Sequence, residues 1–295
     1  MELGNISTAM VTPFDEKGEV DGNRLRILVN HLIGNGSDSI VVCGTTGESP
    51  TLTDAERAAV IRMTIEAAAG RVPVIAGTGS NSTASTIALT RKAEELGADG
   101  IMLVTPYYNR PGQRGIHAHF KAAAESTRLP VMLYNVPSRT ASRLEPETVI
   151  SLARIRNVRA LKEAGGDLLK MTAVINGTDA GFKLYSGDDG LTLPVLSIGG
   201  AGVVSVASHV AGPEMQKMIR AYREGRLSEA ANLHAKLAAL AEVMFFRPSP
   251  APVKHALLAS GIDTGPVRLP LVGLDKSEAE TVEKALLRFR AAESA

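Results

Sequence analysis

Length, composition and charge place the chain among ordinary soluble globular proteins. It has 295 residues, of which 44% are hydrophobic and 21% are charged, a balance that disfavours disordered and fibrous classes. The net charge is +1 and the Lys and Arg residues are scattered, so we expect no nucleic-acid partner. No apolar run has the length of a membrane span and the N-terminus does not resemble a secretory signal, which predicts a cytoplasmic protein.

The sequence offers little support for a metal or a cofactor. The single cysteine, Cys43, excludes an internal disulfide and a thiolate metal cluster, and the six histidines lack the spacing of metal ligands. Asp188 and Asp189 could bind a cation, but a tight turn with a helix cap is favoured there. The stretch Gly77–Asn81 begins like a dinucleotide-binding loop but lacks the third glycine. We therefore expect neither a metal nor a cofactor.

Short apolar runs rich in β-branched residues alternate with segments of helical periodicity over the first 225 residues. This alternation predicts parallel strands joined by crossover helices. The predicted strands are Ile6–Phe14, Ser39–Gly44, Pro73–Thr78, Gly100–Pro106, Val131–Val136, Val158–Glu163, Phe182–Gly187 and Ala201–Ala207. The predicted helices between them are Asp21–Asn35, Thr53–Ala69, Ser82–Leu96, Gln113–Ser126, Glu145–Ala153, Leu168–Ile175, Leu191–Ser197 and Pro213–Arg223.

Eight strands, each followed by a helix, predict a closed (β/α)8 barrel of the TIM type. A doubly wound sheet would usually have fewer strands and a phosphate-binding first turn. After about residue 225 only helical patterns remain, over Leu227–Phe246, Pro252–Ala259 and Lys276–Ala292. We therefore predict a catalytic barrel over residues 1–225 and a C-terminal helical appendage over residues 226–295.

In such barrels the reactive groups lie at the C-terminal ends of the strands and in the loops that follow. The second strand ends in the segment GTTGES, residues 44–49. Its backbone N–H groups and hydroxyls are suited to bind a small carboxylate. An ordinary strand-to-helix turn with a hydroxyl cap explains the same residues equally well.

The sixth strand carries a lysine between small residues. Alternation of side chains puts Ala160, Lys162 and Ala164 on one face. If that face is the barrel interior, burial disfavours the ammonium form, and a free amine can attack a carbonyl group to form a Schiff base. A solvated lysine at the rim of the barrel is the more common arrangement, and this strand alone leaves it open.

Tyrosines and an arginine follow the fourth and fifth strands. The segment 105–109 contains Tyr107 and Tyr108, and the segment 134–140 contains Tyr134 and Arg139. Phenol hydroxyls at these positions could move protons, and the planar guanidinium of Arg139 could bind a carboxylate at two points. For any one of these residues taken singly, packing at the rim or simple exposure remains the alternative.

Five motifs stand in order along the chain: GTTGES at 44–49, VTPYYNRP at 104–111, YNVPSRT at 134–140, LKEAGG at 161–166 and SGDD at 186–189. Together they resemble the dihydrodipicolinate synthase and N-acetylneuraminate lyase family. The resemblance covers residues 1–225 and extends to PAPVKHAL at 250–257, which looks like the family's C-terminal helical region. Arg139 and the TPYYN segment resemble the synthase branch rather than the sialic acid lyases.

The resemblance implies that pyruvate condenses with the aldehyde L-aspartate 4-semialdehyde, on the route to diaminopimelate and lysine. Lys162 would form the Schiff base, and Tyr134 would be the general acid and base, linked through Thr45 to Tyr108 of a neighbouring subunit. The chain would therefore be a homo-oligomer, commonly a tetramer built as a dimer of dimers. The implied substrate-binding residues are Thr46 for the pyruvate carboxylate, Arg139 for the aldehyde's carboxylate, and the backbone of Gly187 and Val204.

Other readings of the same residues stay open. The same lysine chemistry could act on a different aldehyde, as in other pyruvate-dependent aldolases and lyases of the family. A metal-dependent aldolase and a barrel that only binds a ligand are alternatives of other classes. The second is disfavoured because a binding protein needs neither a reactive amine nor a proton relay.

The resemblance also bears on regulation. Lysine-inhibited relatives bind lysine between subunits, near positions that match Ser49, Asp54, Arg57, Asn81, Ser85 and Tyr107. Three of these, Asp54, Arg57 and Ser85, stand where sensitive enzymes often have His or Glu, and the cationic Arg57 would repel the ammonium groups of lysine. We therefore expect weak or absent feedback inhibition by lysine. A further departure, Gly165 in place of the usual Ser or Thr, leaves the role of Lys162 intact.

Overall fold

Eight parallel strands close into a barrel in the computed structural model, which describes residues 3–291. Each strand pairs with its neighbours in chain order, and the last pairs with the first. The strands are β1 (Ile6–Ala9), β2 (Ser39–Val42), β3 (Val74–Gly77), β4 (Gly100–Val104), β5 (Val131–Asn135), β6 (Val158–Glu163), β7 (Lys183–Ser186) and β8 (Gly202–Ser205). The predicted barrel is thus confirmed.

All strands but β6 are shorter than predicted, because the residues at their ends leave the extended conformation. Cys43, for example, has a φ of 53° directly after β2, which places it in the left-handed region. The loops that follow the strands therefore begin earlier than the apolar pattern indicates.

Helices follow the strands and cover the outside of the barrel. The helix that begins at Asp54 has the cap that Thr53 predicts: the Thr53 hydroxyl accepts from the Glu56 N–H at 3.2 Å, and the Glu56 carboxylate accepts from the Thr53 N–H at 2.9 Å. The helices of the barrel are α1 (Gly22–Gly34), α2 (Asp54–Ala68), α3 (Thr83–Glu95), α4 (Gln113–Glu125), α5 (Pro137–Thr140), α6 (Pro146–Leu152), α7 (Leu168–Gly177), α8 (Thr192–Ser197) and α9 (Ser208–Arg223).

Two of these helices differ from the prediction by more than two residues at an end. The short helix α5 was not predicted. Helix α9 begins at Ser208, and the predicted start at Pro213 is wrong for the helix as a whole. Ala211 leaves helical geometry, with φ of −137° and ψ of 26°, so Pro213 stands in the first turn of the part that follows, where a proline is tolerated.

Three further helices follow the barrel: α10 (Leu227–Phe245), α11 (Ala251–Ala259) and α12 (Lys276–Ala291). The predicted end at Ala292 lies outside the described residues. Helix α10 packs against α9 and α12, and it also contacts the turn that follows β7. The division of the chain at residue 225 therefore stays a prediction. Within residues 3–291, no helix combines the length and the apolar character needed to cross a membrane.

The core has two layers, one inside the barrel and one between the strands and the helices. On β5, Met132 and Tyr134 belong to the inner layer, whereas Val131 and Leu133 belong to the outer one. Both faces of each strand are buried, which explains the nearly continuous apolar runs in the sequence. The inner layer consists mainly of Ala9, Val41, Ile75, Met102, Met132, Ala160, Tyr185 and Val204. The interior is packed, and the active sites of such barrels lie at the C-terminal ends of the strands.

Candidate active site

Lys162 lies inside the barrel near the C-terminal end of β6. The residue is 5% exposed, and Ala160 and Ala164 pack in the same inner layer. In the strand ladder it stands beside Tyr134 on β5 and Tyr185 on β7. Its Nζ atom is 4.3 Å from the centroid of the Tyr134 ring. The amine therefore lies against the face of a phenol, with aliphatic neighbours along its strand.

Gly187, directly after β7, leaves room for the lysine side chain. A Cβ atom at this position would lie 2.8 Å from the Cβ of Ala164 and 3.2 Å from the Cε of Lys162. The Gly187 N–H donates to the Glu163 carbonyl at 2.7 Å, so the backbone cannot easily move away. A side chain at residue 187 would press on the stem of Lys162.

Two cavities adjoin each other at the mouth of the barrel and share Val136 and Arg139. The first, of about 580 Å³, includes Tyr134 and Gly187 near the lysine, and its far wall comes from α10. The second, of about 480 Å³, includes Thr45. Because Arg139 borders both, its guanidinium can bind an anion in either one.

The GTTGES segment forms a tight turn next to these cavities. The Glu48 N–H donates to the Thr45 carbonyl at 3.1 Å, and the Thr12 hydroxyl donates to the Gly47 carbonyl at 2.7 Å. Within residues 3–291, no acceptor engages the N–H groups of Thr45 and Thr46. These amides, together with the threonine hydroxyls, can bind a carboxylate.

Lys162 itself lines neither cavity, and neither do three further predicted catalytic or substrate-binding residues. Thr46 and Val204 are buried, Val204 in the inner layer of the barrel. Tyr108 is 90% exposed and has a φ of 70°, a conformation that is costly for a bulky residue. Its side chain thus contributes to neither cavity of its own chain.

The predicted regulatory residues gather around the second cavity, except for one. Asn81 does not line it, and its backbone carbonyl accepts from the side chain of Asn109 at 2.9 Å. Arg57 donates to the carbonyls of Gly77 and Ser49, both at 3.1 Å, so a cation is fixed in the wall. The residues that line the cavity are Ser49, Asp54, Arg57, Ser85 and Tyr107. Weak inhibition by lysine stays a prediction.

Comparison with known proteins agrees with this geometry. The model of the dihydrodipicolinate synthetase family matches residues 2–288. The chain belongs to this family. It is 58% identical over 278 residues to the 4-hydroxy-tetrahydrodipicolinate synthase of Bacillus velezensis. The aligned residues cover 94% of this chain and 96% of that protein. The family expected from the five motifs is confirmed.

Solved structures of relatives share the whole fold. A dihydrodipicolinate synthase from Bacillus anthracis has a TM-score of 0.96 at 53% identity, covering 97% of this chain and 98% of that one. The enzyme from Cyanidioschyzon merolae, solved with lysine bound, has a TM-score of 0.96 at 47% identity, with the same coverage. The likeness therefore includes the three helices that follow the barrel.

A buried pair on the outer face of β5 and β6 was missed by the sequence reasoning. The Asn135 Nδ2 donates to both carboxylate oxygens of Glu163, at 3.0 and 2.9 Å, and the Gly165 N–H donates to one of them at 2.6 Å. The Leu144 N–H donates to the Asn135 Oδ1 at 3.0 Å. Burial raises the pKa of Glu163. This pair joins the two strand ends that carry Tyr134 and Lys162.

The acidic residues after β7 form the turn and cap that the sequence favours. The Asp188 carboxylate accepts from the Gly190 N–H at 2.9 Å. Asp189 is buried and accepts from the N–H groups of Val206 and Ala207, both at 3.0 Å, and burial raises its pKa. In the part of the chain that the structure describes, no three His, Cys, Asp or Glu side chains gather as a metal site would require.

The contact between Asn135 and Glu163 leads to a prediction about stability. Glu163→Gln places an amide N–H₂ against the Asn135 side chain, so two donors face each other. We expect the free energy of unfolding to fall by about 1–3 kcal/mol, measured by urea denaturation. Adding Asn135→Asp provides an acceptor for the new amide while still accepting from Leu144.

The double variant Asn135→Asp/Glu163→Gln should therefore regain most of the lost stability. Glu147→Gln, at an exposed position on α6, is the matched control and should behave like the parent protein. A double variant no more stable than Glu163→Gln alone would show that this contact does not join the two strands as described.

Proposed function

We propose that the chain condenses pyruvate with L-aspartate 4-semialdehyde to 4-hydroxy-tetrahydrodipicolinate, in the synthesis of diaminopimelate and lysine. The observation that carries the proposal is the buried amine of Lys162, which lies against the Tyr134 ring beside a cavity bordered by Arg139. Family membership and the names of the relatives support the same reaction.

Lys162 captures pyruvate as a Schiff base. Its Nζ attacks the keto carbon, the carbinolamine loses water, and the resulting iminium withdraws electrons from the adjacent methyl group. Loss of a methyl proton then leaves an enamine. Tyr134 donates and accepts the protons of these steps, since its ring centroid lies 4.3 Å from the amine.

The carboxylates of the two substrates bind to different groups. The pyruvate carboxylate binds to Thr46 and to the free amides of the GTTGES turn, and the Gly187 and Val204 backbone borders the same site. The carboxylate of the aldehyde binds to Arg139, whose planar guanidinium suits it.

The enamine carbon then bonds to the aldehyde carbon. Attack of the substrate's own amine on the imine carbon closes a six-membered ring and releases Lys162.

The active site requires a second subunit in this proposal. Tyr108 is exposed and lines neither cavity of its own chain, which supports a role for its hydroxyl in a neighbouring copy. There it would contact Thr45 and complete a proton relay to Tyr134. We infer a dimer as the minimal active unit, and a tetramer formed from two such dimers.

The covalent step is tested by reduction with borohydride. Wild-type protein treated with pyruvate and sodium borohydride should gain one reduced adduct, on the peptide that contains Lys162. Lys162→Ala should gain none and should lose about four orders of magnitude in turnover. Lys121→Ala, at an exposed position on α4, should match wild type. An unchanged mass of the wild-type protein would exclude the proposed reaction.

The shared relay is tested by mixing two inactive variants. A Lys162→Ala chain retains Tyr108, and a Tyr108→Phe chain retains Lys162. In a mixed dimer, Lys162 of the Tyr108→Phe chain would lie in a site completed by Tyr108 of the Lys162→Ala chain. When the two variants are refolded together, we therefore expect turnover to recover to roughly a quarter or more of the parent's. Turnover that never exceeds the sum of the separate variants would contradict a tyrosine supplied across the interface.

The placement of the aldehyde is tested at Arg139. Arg139→Ala should raise the KM for the aldehyde by about 30-fold, since hydrogen bonds to charged groups are worth about 2 kcal/mol. The pyruvate concentration that gives half-maximal trapping by borohydride should not change. Arg114→Ala, at an exposed position on α4, serves as the control. Loss of pyruvate trapping in Arg139→Ala would show that the two carboxylate sites are assigned wrongly.

A further inference from the structure

A buried ion pair connects the GTTGES turn to the C-terminal helices. The Nζ of Lys254, on α11, is 2.9 Å from the Oε1 of Glu48, and the two side chains are 4% and 0% exposed. The same Nζ donates to the Pro266 carbonyl at 2.7 Å and lies 4.4 Å from the centroid of the Phe14 ring. The ammonium group is therefore enclosed by an acid, a carbonyl and an aromatic face.

The second carboxylate oxygen of Glu48 also binds to the C-terminal region. The Arg268 N–H donates to its Oε2 at 2.8 Å. The Arg268 side chain in turn donates to the carbonyls of Thr51 and Gly18, at 2.9 and 2.7 Å, and forms an ion pair with Glu56. Both oxygens of one carboxylate in the turn are thus engaged by residues that follow the barrel.

The backbone of Glu48 transmits these contacts to the threonines. Its φ is 53°, a left-handed conformation that costs a non-glycine residue free energy. In this conformation its N–H donates to the Thr45 carbonyl at 3.1 Å, and its carbonyl accepts from the Thr51 N–H at 2.9 Å. The side-chain contacts of Glu48 therefore stabilise the conformation that orients Thr45 and Thr46.

The charged atoms of Glu48 and Lys254 are engaged by each other, by the Pro266 carbonyl and by the Arg268 N–H. Glu48 and Lys254 line neither of the two cavities at the barrel mouth. Resting on the proposed function, we propose that Glu48 and Lys254 are positioning residues that keep the GTTGES turn in the shape that binds the pyruvate carboxylate. The C-terminal region contacts the GTTGES turn from outside the cavity, and through this turn it sets the affinity for the keto acid.

The charge state of the pair agrees with this role. Burial lowers the pKa of Lys254 to about 8, although Glu48 opposes the shift. The ammonium form therefore still predominates at neutral pH, where it can attract the carboxylate. Removing one partner would leave the other buried without an opposite charge, which is costly to the fold.

The test separates positioning from simple stabilisation by comparing three variants. Lys254→Met and Glu48→Gln each remove one charge, and the double variant removes both, leaving no unpaired buried charge. For each variant we measure the pyruvate half-saturation, which is the pyruvate concentration that gives half-maximal trapping by borohydride. The KM for the aldehyde and the melting temperature are measured as well. We expect the pyruvate half-saturation to rise by about tenfold or more in all three, with the aldehyde KM within about threefold of wild type.

In the double variant we expect the melting temperature to recover while pyruvate binding does not. Lys284→Met, an exposed lysine on α12 paired with Glu280, is the matched control and should resemble wild type. A double variant with wild-type pyruvate half-saturation overturns the proposal, even if the single variants fail to fold. Wild-type protein that forms no adduct would instead refute the proposed function itself.

Discussion

The confinement of one amine within a packed aliphatic barrel is the constraint on which the site depends. Lys162 has no carboxylate as an ion-pair partner among residues 3–291, and its neighbours in the inner layer are mostly apolar. Burying such a group costs free energy of folding. The cost is tolerated where the surrounding backbone cannot relax, and here Gly187 is bonded to the strand that carries the lysine.

The inner and outer faces of β5 and β6 have different roles in the site. Tyr134 and Lys162 face inward, where a substrate can react. Their chain neighbours Asn135 and Glu163 face outward and bind each other. Because the side chains alternate, the outer pair fixes the strand ends without entering the cavity. The acid nearest to Lys162 in sequence is thus kept away from the amine by the geometry of the strand.

Local patterns predicted the features that depend on local physics. Alternation identified all eight strands, and hydroxyl and acidic caps such as Thr53 located helix starts, because these signals arise within a few residues. The kink at Ala211 lies two residues before Pro213 and the short helix after β5 begins at Pro137, and no periodicity in the sequence marks either feature. The sequence showed that Lys162 shares a face of β6 with Ala160 and Ala164, but the strand alone left open whether that face is the barrel interior.

Contacts between distant residues were beyond local reasoning. Asn135 and Glu163 are 28 residues apart, and they meet only because consecutive strands pair in this register. One signal was present: each is the last, polar residue of its strand, directly after a predicted catalytic residue. Glu48 and Lys254 gave no such signal, because their meeting depends on how the last helices fold back under the turn.

This return of the chain makes the C-terminal helices part of the site. Glu242 and Phe245 of α10 line the cavity beside Tyr134 and Gly187, and Lys254 of α11 contacts the turn on the other side of the barrel mouth. A barrel cut at residue 225 would lose one wall of the cavity and the partner of a buried carboxylate. The predicted boundary therefore separates two patterns in the sequence, whereas the proposed chemistry requires both parts of the chain.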